Sequence, residues 1–127
     1  MSSWKPSSYS SVSPYLICTN AKDTLEFLVA AFGAERLRYI SRPDGTNMHA
    51  EARIDDTVIM LSDATENWPS VGSHVHVYVE DVDDAYLRAL RAGAKSIMVP
   101  IKKDDEDKRG GVMDLGGTTW WIATQTG

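Results

Sequence analysis

The sequence predicts an α+β fold in which two tandem βαβββ modules form an incomplete barrel around a concave cavity. The first observation is that one order of strand-like and helix-like segments occurs twice, at an offset of about 60 residues. The second is that residues 32–34 align at this offset with residues 92–94, and residues 58–61 with residues 119–122, all in corresponding elements. A duplicated unit explains both matches, and pairing of the two units would curve their sheets around a shared cavity.

The first module covers residues 13–63 and opens with an apolar strand at 14–19. A helix is predicted at 21–32 because its leucine, valine and phenylalanine side chains fall on one stripe. Asn20 is a suitable N-cap, and Gly33 is typical of a helix end. Three strands complete this module, at 35–40, 47–54 and 57–62.

The turn at residues 55–56 fixes the register of the last two strands of this module. A two-residue turn there pairs Arg53 with Val58 and Glu51 with Met60, on the face opposite the apolar side chains. This face therefore lines the cavity or faces water.

The second module covers residues 74–125 and has the same order of elements. Its helix is predicted at 82–91, ended by Gly93. Its strands are predicted at 75–79, 95–99, 111–114 and 118–124. The charged segment at 102–109 is predicted to be a solvated loop.

Residues 13–127 are predicted to form one domain, preceded by a serine-rich, flexible leader at residues 1–12. No apolar run is long enough for a membrane span, and the leader has no apolar core of a secretory signal, so the sequence predicts a cytoplasmic protein. The formal net charge of −5 disfavours nucleic acid as a partner. Cys18 is the only cysteine, which excludes an internal disulfide.

Side chains that can bind ligands or transfer protons are concentrated at residues 74–78, at the start of the predicted strand 75–79 and within it. Alternation along a strand sends His74, His76 and Tyr78 to one face and the intervening valines toward the core. The same rule separates Trp120, predicted in the core, from Trp121, predicted in the cavity. The full set predicted to bind a ligand is His49, Glu51, Arg53, His74, His76, Tyr78 and Trp121.

Several runs of residues resemble the glyoxalase, bleomycin-resistance and extradiol-dioxygenase superfamily, also called the vicinal oxygen chelate superfamily. The runs are residues 48–63, His-Val-Tyr-Val-Glu-Asp-Val-Asp at 76–83, Ala-Gly-Ala at 92–94 and Asp-Leu-Gly-Gly-Thr-Thr-Trp-Trp-Ile-Ala-Thr at 114–124. They are most similar to the PhnB-like subgroup. The resemblance implies the two-module fold and a homodimer.

In metal-using members of this superfamily, four ligands lie on the first and last strands of the two modules. The resemblance places those positions at Ser13, Met60, His74 and Trp121, of which only the histidine is a residue type that binds metals. The usual metal site is therefore predicted to be absent. A displaced site remains an alternative, formed by His49, Glu51, His74 and His76.

We therefore expect a metal-independent protein that binds a small molecule on the concave sheet face, without a cofactor. The alternative is a lyase, isomerase or dioxygenase that uses a divalent metal held by the displaced histidines and glutamate. In that case Glu51 or a histidine would move a proton next to a carbonyl group. A third alternative is that the protein's own side chains fill the cavity and the dimer serves only assembly.

Overall fold

The computed structural model describes residues 4–127 and confirms two tandem βαβββ modules. The first module consists of β1 (Tyr15–Cys18), α1 (Ala21–Phe32), β2 (Glu35–Ser41), β3 (Asn47–Ile54) and β4 (Thr57–Asp63). The second consists of β5 (Ser73–Tyr78), α2 (Val82–Arg91), β6 (Lys95–Lys102), β7 (Asp107–Met113) and β8 (Thr118–Gln125). The sheet orders are β1-β4-β3-β2 and β5-β8-β7-β6, and over the described residues the two sheets do not close into a barrel.

Both helices begin where a side chain caps them. The Asn20 side chain accepts a hydrogen bond from the Asp23 backbone N–H at 3.1 Å, and Gly33 ends α1 with a left-handed φ of 66°. Asp81 caps α2 in the same way, by accepting from the Asp84 N–H at 3.2 Å. The predicted bounds of both helices are therefore confirmed.

The predicted hairpin register is also confirmed, because Arg53 pairs with Val58 and Glu51 with Met60. Asp55 in the turn has a φ of 51°, a conformation that aspartate tolerates better than most residues. Alternation in β3 predicts Met48 on the apolar face with Ala50 and Ala52, but it lies near the strand end, beyond the core, and is exposed.

The two modules share one apolar core. Each helix packs on its own sheet, α1 on β3 and α2 on β7, and the helices contact each other. Trp120 is fully buried, as predicted, and its ring lies 5.3 Å from that of Phe32 on α1. Its indole N–H donates to the buried Asp114 at 2.8 Å, so the polar atom of this large side chain is satisfied. Cys18 is buried in the same core, and burial raises the pKa of its thiol to about 11.

The prediction of a solvated loop at 102–109 is wrong in its extent. Strand β6 continues to Lys102 and β7 begins at Asp107, so only residues 103–106 connect them. Asp107 is 7% exposed and Arg109 is part of the sheet. The charged side chains of this segment are typical of a solvated loop, so the sequence did not indicate a strand. In the fold, these residues form hydrogen bonds with neighbouring strands instead of water.

The part of the predicted leader that lies within residues 4–12 contacts the first sheet, as described below; its first three residues lie outside the described residues. In the described part of the chain, neither helix has the length and hydropathy required to cross a bilayer.

Candidate functional site

Each sheet has one face against the helices and one face away from them. We call the second kind an open face. On the first open face, Glu51 of β3 lies beside Met60 of β4, which lies beside Tyr15 of β1. On the second open face, Gly111 of β7 lies beside Trp121 of β8, which lies beside His76 of β5. The seven predicted ligand-binding residues are thus divided, with His49, Glu51 and Arg53 on the first face and His74, His76, Tyr78 and Trp121 on the second.

The centre of the first open face is Glu51, a carboxylate that is 1% exposed. One oxygen accepts from His49 Nε2 at 2.7 Å, and the other accepts a short hydrogen bond from the Tyr9 hydroxyl. His49 Nδ1 lies 3.3 Å from the Tyr15 hydroxyl, which can donate to it. The carboxylate therefore has a donor on each oxygen, which is the condition for keeping a buried charge.

Burial alone would raise the pKa of Glu51, but its surroundings lower it overall. The lowering comes from the hydrogen bonds of Tyr9 and His49, and from electrostatic attraction by the nearby His49 and Arg38 side chains. The same contact raises the pKa of Tyr9, because the hydrogen bond to the carboxylate requires the phenol to keep its proton. At neutral pH this pair is thus a carboxylate and a neutral phenol.

Arg53 does not pair with Glu51, although both lie on the first open face. Its Nη1 lies 3.3 Å from the exposed Glu35 carboxylate, and its Nη2 donates to the Ser8 carbonyl oxygen at 3.2 Å. Arg53 therefore connects the first sheet to the leader.

The centre of the second open face is a flat aromatic surface formed by Trp121 and His74. The indole N–H of Trp121 donates to His74 Nδ1 at 3.1 Å, and the two ring planes differ by 6°. The N–H lies in the indole plane and the lone pair in the imidazole plane, so the two rings lie side by side rather than one above the other. We call this pair the His74–Trp121 platform.

Gly111 makes room for the platform. A Cβ atom at position 111 would lie 2.6 Å from Cζ3 and 2.8 Å from Cε3 of Trp121, far inside van der Waals contact. The indole thus extends from Gly111 on β7, across its own strand, to His74 on β5. A glycine at this position is what lets the ring lie along the sheet.

A charged network adjoins the platform. Arg109 donates from Nε to His76 Nε2 at 3.2 Å, and from its two terminal nitrogens to Asp105 at 3.0 Å and Asp107 at 2.8 Å. The Tyr78 hydroxyl also donates to Asp107, at 2.7 Å. Burial and the Arg109 charge lower the pKa of His76, against the opposing effect of the two aspartates, so its ring is neutral and accepts from Arg109.

Two cavities adjoin the second open face. One of about 330 Å³ lies at the seam between the modules, where His76 and Tyr78 approach the turn at residues 55–56. The other, of about 270 Å³, is lined by Met98, Ile101, Lys103, Asp104, Asp105, Asp107 and Arg109. His76 lines the first cavity and Arg109 the second, and these two side chains are hydrogen-bonded to each other.

The displaced metal set is not assembled within one chain. In residues 4–127, no three His, Cys, Asp or Glu side chains are grouped so that they could hold a metal ion. The imidazole nitrogens are also engaged by protein donors: His74 Nδ1 accepts from Trp121, and His76 Nε2 accepts from Arg109. A metal ion at either nitrogen would have to displace that donor.

Some residues of these two faces were not predicted from the sequence. Tyr9 was missed because a serine-rich segment has no periodicity, and Asp107 because its strand was interpreted as a loop. Gly111 was interpreted only as the start of a strand. The pairing of a glycine with a tryptophan on the next strand could have indicated the role of Gly111, but recognising it requires the register of the second hairpin.

The sequence profile of the Glyoxalase/Bleomycin resistance protein/Dioxygenase superfamily matches residues 11–122. The chain therefore belongs to that superfamily. The uncharacterised protein Rv0887c of Mycobacterium tuberculosis is 32% identical over 120 residues, which cover 86% of this chain and 71% of the relative.

Solved structures show the same fold. TioX from Micromonospora sp. ML1 superposes with a TM-score of 0.77 at 24% identity, covering 91% of this chain and 98% of TioX. TnmS3, an antibiotic binding protein from Streptomyces sp. CB03234, superposes with a TM-score of 0.69 at 16% identity, covering 91% of this chain and 98% of TnmS3. At these identities the likeness concerns the fold alone.

Proposed function

We propose that the protein is a metal-independent binding protein for a flat aromatic molecule that carries a positive charge. The observation that carries the proposal is the His74–Trp121 platform, whose two rings lie side by side with planes 6° apart. His74 is exposed and Trp121 is partly exposed, so the outer faces of both rings are accessible. Aromatic ligands stack on such surfaces in an offset arrangement.

The charge of the ligand is inferred from the surroundings of the platform. The lining of the 270 Å³ cavity includes three acidic residues, Asp104, Asp105 and Asp107, and two basic residues, Lys103 and Arg109. The whole chain has a formal net charge of −5. A cationic substituent that extends from the platform toward this cavity would therefore be favoured.

Membership of the superfamily is compatible with a role in binding rather than catalysis. TnmS3 shares the fold and is described as an antibiotic binding protein. The sequence runs at 48–63 and 114–124 favour the PhnB-like subgroup, which is part of this proposal, as is a location in the cytoplasm.

The proposal includes a homodimer. The edge strand β6 exposes three apolar side chains, Ile97, Val99 and Ile101, which is unusual for a surface that faces only water. A second copy that covers this edge would enclose the open faces, and the first open face of one copy could then meet the second open face of the other.

Analytical ultracentrifugation of wild type and Val99→Lys tests this contact, because the charged side chain is expected to shift the protein to monomer. An unchanged sedimentation profile would contradict it.

The test of ligand binding uses proflavine, a planar tricyclic cation. We expect proflavine to quench the tryptophan fluorescence of wild type in a saturable way, and to bind Trp121→Ala at least tenfold more weakly. Trp68→Ala is the control, because this indole is 70% exposed in the connection between modules, and it should bind proflavine as wild type does. Circular dichroism verifies that each variant is folded. Equal binding by all three proteins would disprove a ligand site on the platform.

The metal-dependent alternative is tested separately. Protein purified without chelators or a histidine tag is analysed for bound metal, and its thermal unfolding is followed with Ni²⁺, Zn²⁺, Co²⁺, Mn²⁺ and Fe²⁺. We expect no stoichiometric metal and no stabilisation. Stoichiometric metal that His74→Ala removes would overturn the proposal in favour of a metal-dependent enzyme.

A further inference from the structure

The leader places one side chain, Tyr9, against the polar centre of the first open face. Its hydroxyl donates to Glu51, and the guanidinium of Arg38 lies 5.5 Å from the centre of its ring. Arg53 holds the preceding residue by donating to the Ser8 carbonyl oxygen at 3.2 Å. The phenol is thus recognised at both its hydroxyl and its ring.

The pocket that Tyr9 occupies is formed by the sheet and not by the leader. Glu51 and His49 belong to β3 and Arg38 to β2, and the 2.7 Å contact between Glu51 and His49 fixes the carboxylate from the other side. Without Tyr9, the Glu51 oxygen that it uses would point to the open side with no protein donor. The sheet therefore presents a carboxylate acceptor beside an arginine, which suits a hydroxyl group on an aromatic ring.

Within residues 4–12, the leader is attached at few points. Trp4 is 84% exposed and Val12 is 83% exposed, so neither of these large apolar side chains is packed on the sheet. Ser8 has a φ of 65°, which is unfavourable for a residue with a Cβ atom and requires the neighbouring contacts to maintain it. Withdrawal of the leader would thus break few contacts and would relieve this conformation.

Tyr78 provides an internal comparison. Its hydroxyl also donates to a buried carboxylate, that of Asp107, at 2.7 Å. Tyr78 lies in β5, however, and cannot leave without disrupting the sheet, whereas Tyr9 lies in a segment outside the sheets. Of these two phenol–carboxylate pairs, only the one that includes Glu51 can open while the fold is retained.

We infer that Glu51, His49 and Arg38 form a binding pocket for a phenol, which Tyr9 occupies in the absence of ligand, so that the leader and a phenolic ligand compete for the first open face. This inference does not depend on the platform of the second open face. Binding of the ligand exchanges one phenol for another at the same carboxylate and releases the leader.

The test uses p-cresol, which corresponds to the side chain of tyrosine, and toluene, which has the same shape without the hydroxyl. Binding is followed by the NMR signals of His49 and of the leader in the full chain. We expect Tyr9→Ala to bind p-cresol at least tenfold more tightly than wild type and to reject toluene, because the carboxylate would lose its donor. In wild type, an excess of p-cresol is expected to shift the leader signals toward those of Tyr9→Ala.

Three further variants make the test specific. Val12→Ala changes an exposed leader residue and is expected to behave as wild type, whereas Tyr9→Ala combined with Glu51→Gln is expected to bind p-cresol at least tenfold more weakly than Tyr9→Ala. Tyr9→Phe retains the ring and serves if Tyr9→Ala does not fold; it should bind p-cresol more tightly than wild type. Equal binding of toluene and p-cresol would indicate a simple void and overturn the inference, as would equal p-cresol affinity of wild type and the Tyr9 variants.

Discussion

The two open faces of this protein share one arrangement of strands and differ in the chemistry at their centres. At corresponding positions, β3 places Glu51 beside Met60, and β7 places Gly111 beside Trp121. The first face has a buried carboxylate covered by a tyrosine of the leader, and the second has an indole that lies flat on a glycine. Because a Cβ at position 111 would collide with the indole, the residue on the third strand decides which kind of surface the module presents. The two modules thus have the same arrangement of strands, and a few side chains give their open faces different surfaces.

The largest expected effect comes from removing the glycine that distinguishes the second face. Gly111→Val should destabilise the protein by about 3 kcal/mol, because the new side chain overlaps the Trp121 ring and the sheet cannot expand to admit it. Urea unfolding measures this loss. Gly72→Ala is the matched control, since a Cβ there meets only an ordinary contact at 3.6 Å. Equal unfolding free energies of the two variants would show that the indole does not lie on Gly111.

A smaller effect is expected when the first face loses its carboxylate. Glu51→Ala should cost about 2 kcal/mol of unfolding free energy, because His49 and Tyr9 lose a charged acceptor in a buried position. Glu35→Ala removes an exposed carboxylate from the same sheet and should cost at most about 0.5 kcal/mol. A cost for Glu51→Ala no larger than that of the control would contradict the buried pair.

The smallest effect is the response of the two faces to acid. Folding lowers the pKa of His76 below its ordinary value of 6.5 and that of Glu51 below 4.5, so the unfolded chain takes up each proton first. The stability that His76 adds relative to His76→Gln should be complete above about pH 6.5 and decline as the pH falls below it. The corresponding difference for Glu51→Gln should persist until the pH falls below about 4.5.

Urea unfolding of wild type and both variants between pH 8 and pH 4 measures this order. The second face should weaken before the first, because protonation of His76 removes the acceptor of the Arg109 hydrogen bond and places two positive charges together. A His76 contribution that rises in acid would mean that the aspartates, rather than Arg109, dominate its surroundings.

The sequence by itself determined the fold class, both helices with their caps, and the register of the first hairpin. These features depend on local chemistry: alternation, a capping side chain and a two-residue turn each act within a few residues. It also placed His74, His76 and Tyr78 on one face of a strand, since alternation requires no knowledge of the neighbouring strands.

Only the tertiary structure decided what these side chains contact. The platform requires His74 and Trp121, which are 47 residues apart, and the covered carboxylate requires Tyr9 and Glu51, which are 42 residues apart. Neither pair has a local signal, because the register of distant strands and the path of the leader are set by the packing of the whole chain. For the same reason, the sequence analysis assigned seven residues to one predicted site, whereas the folded chain divides them between two faces.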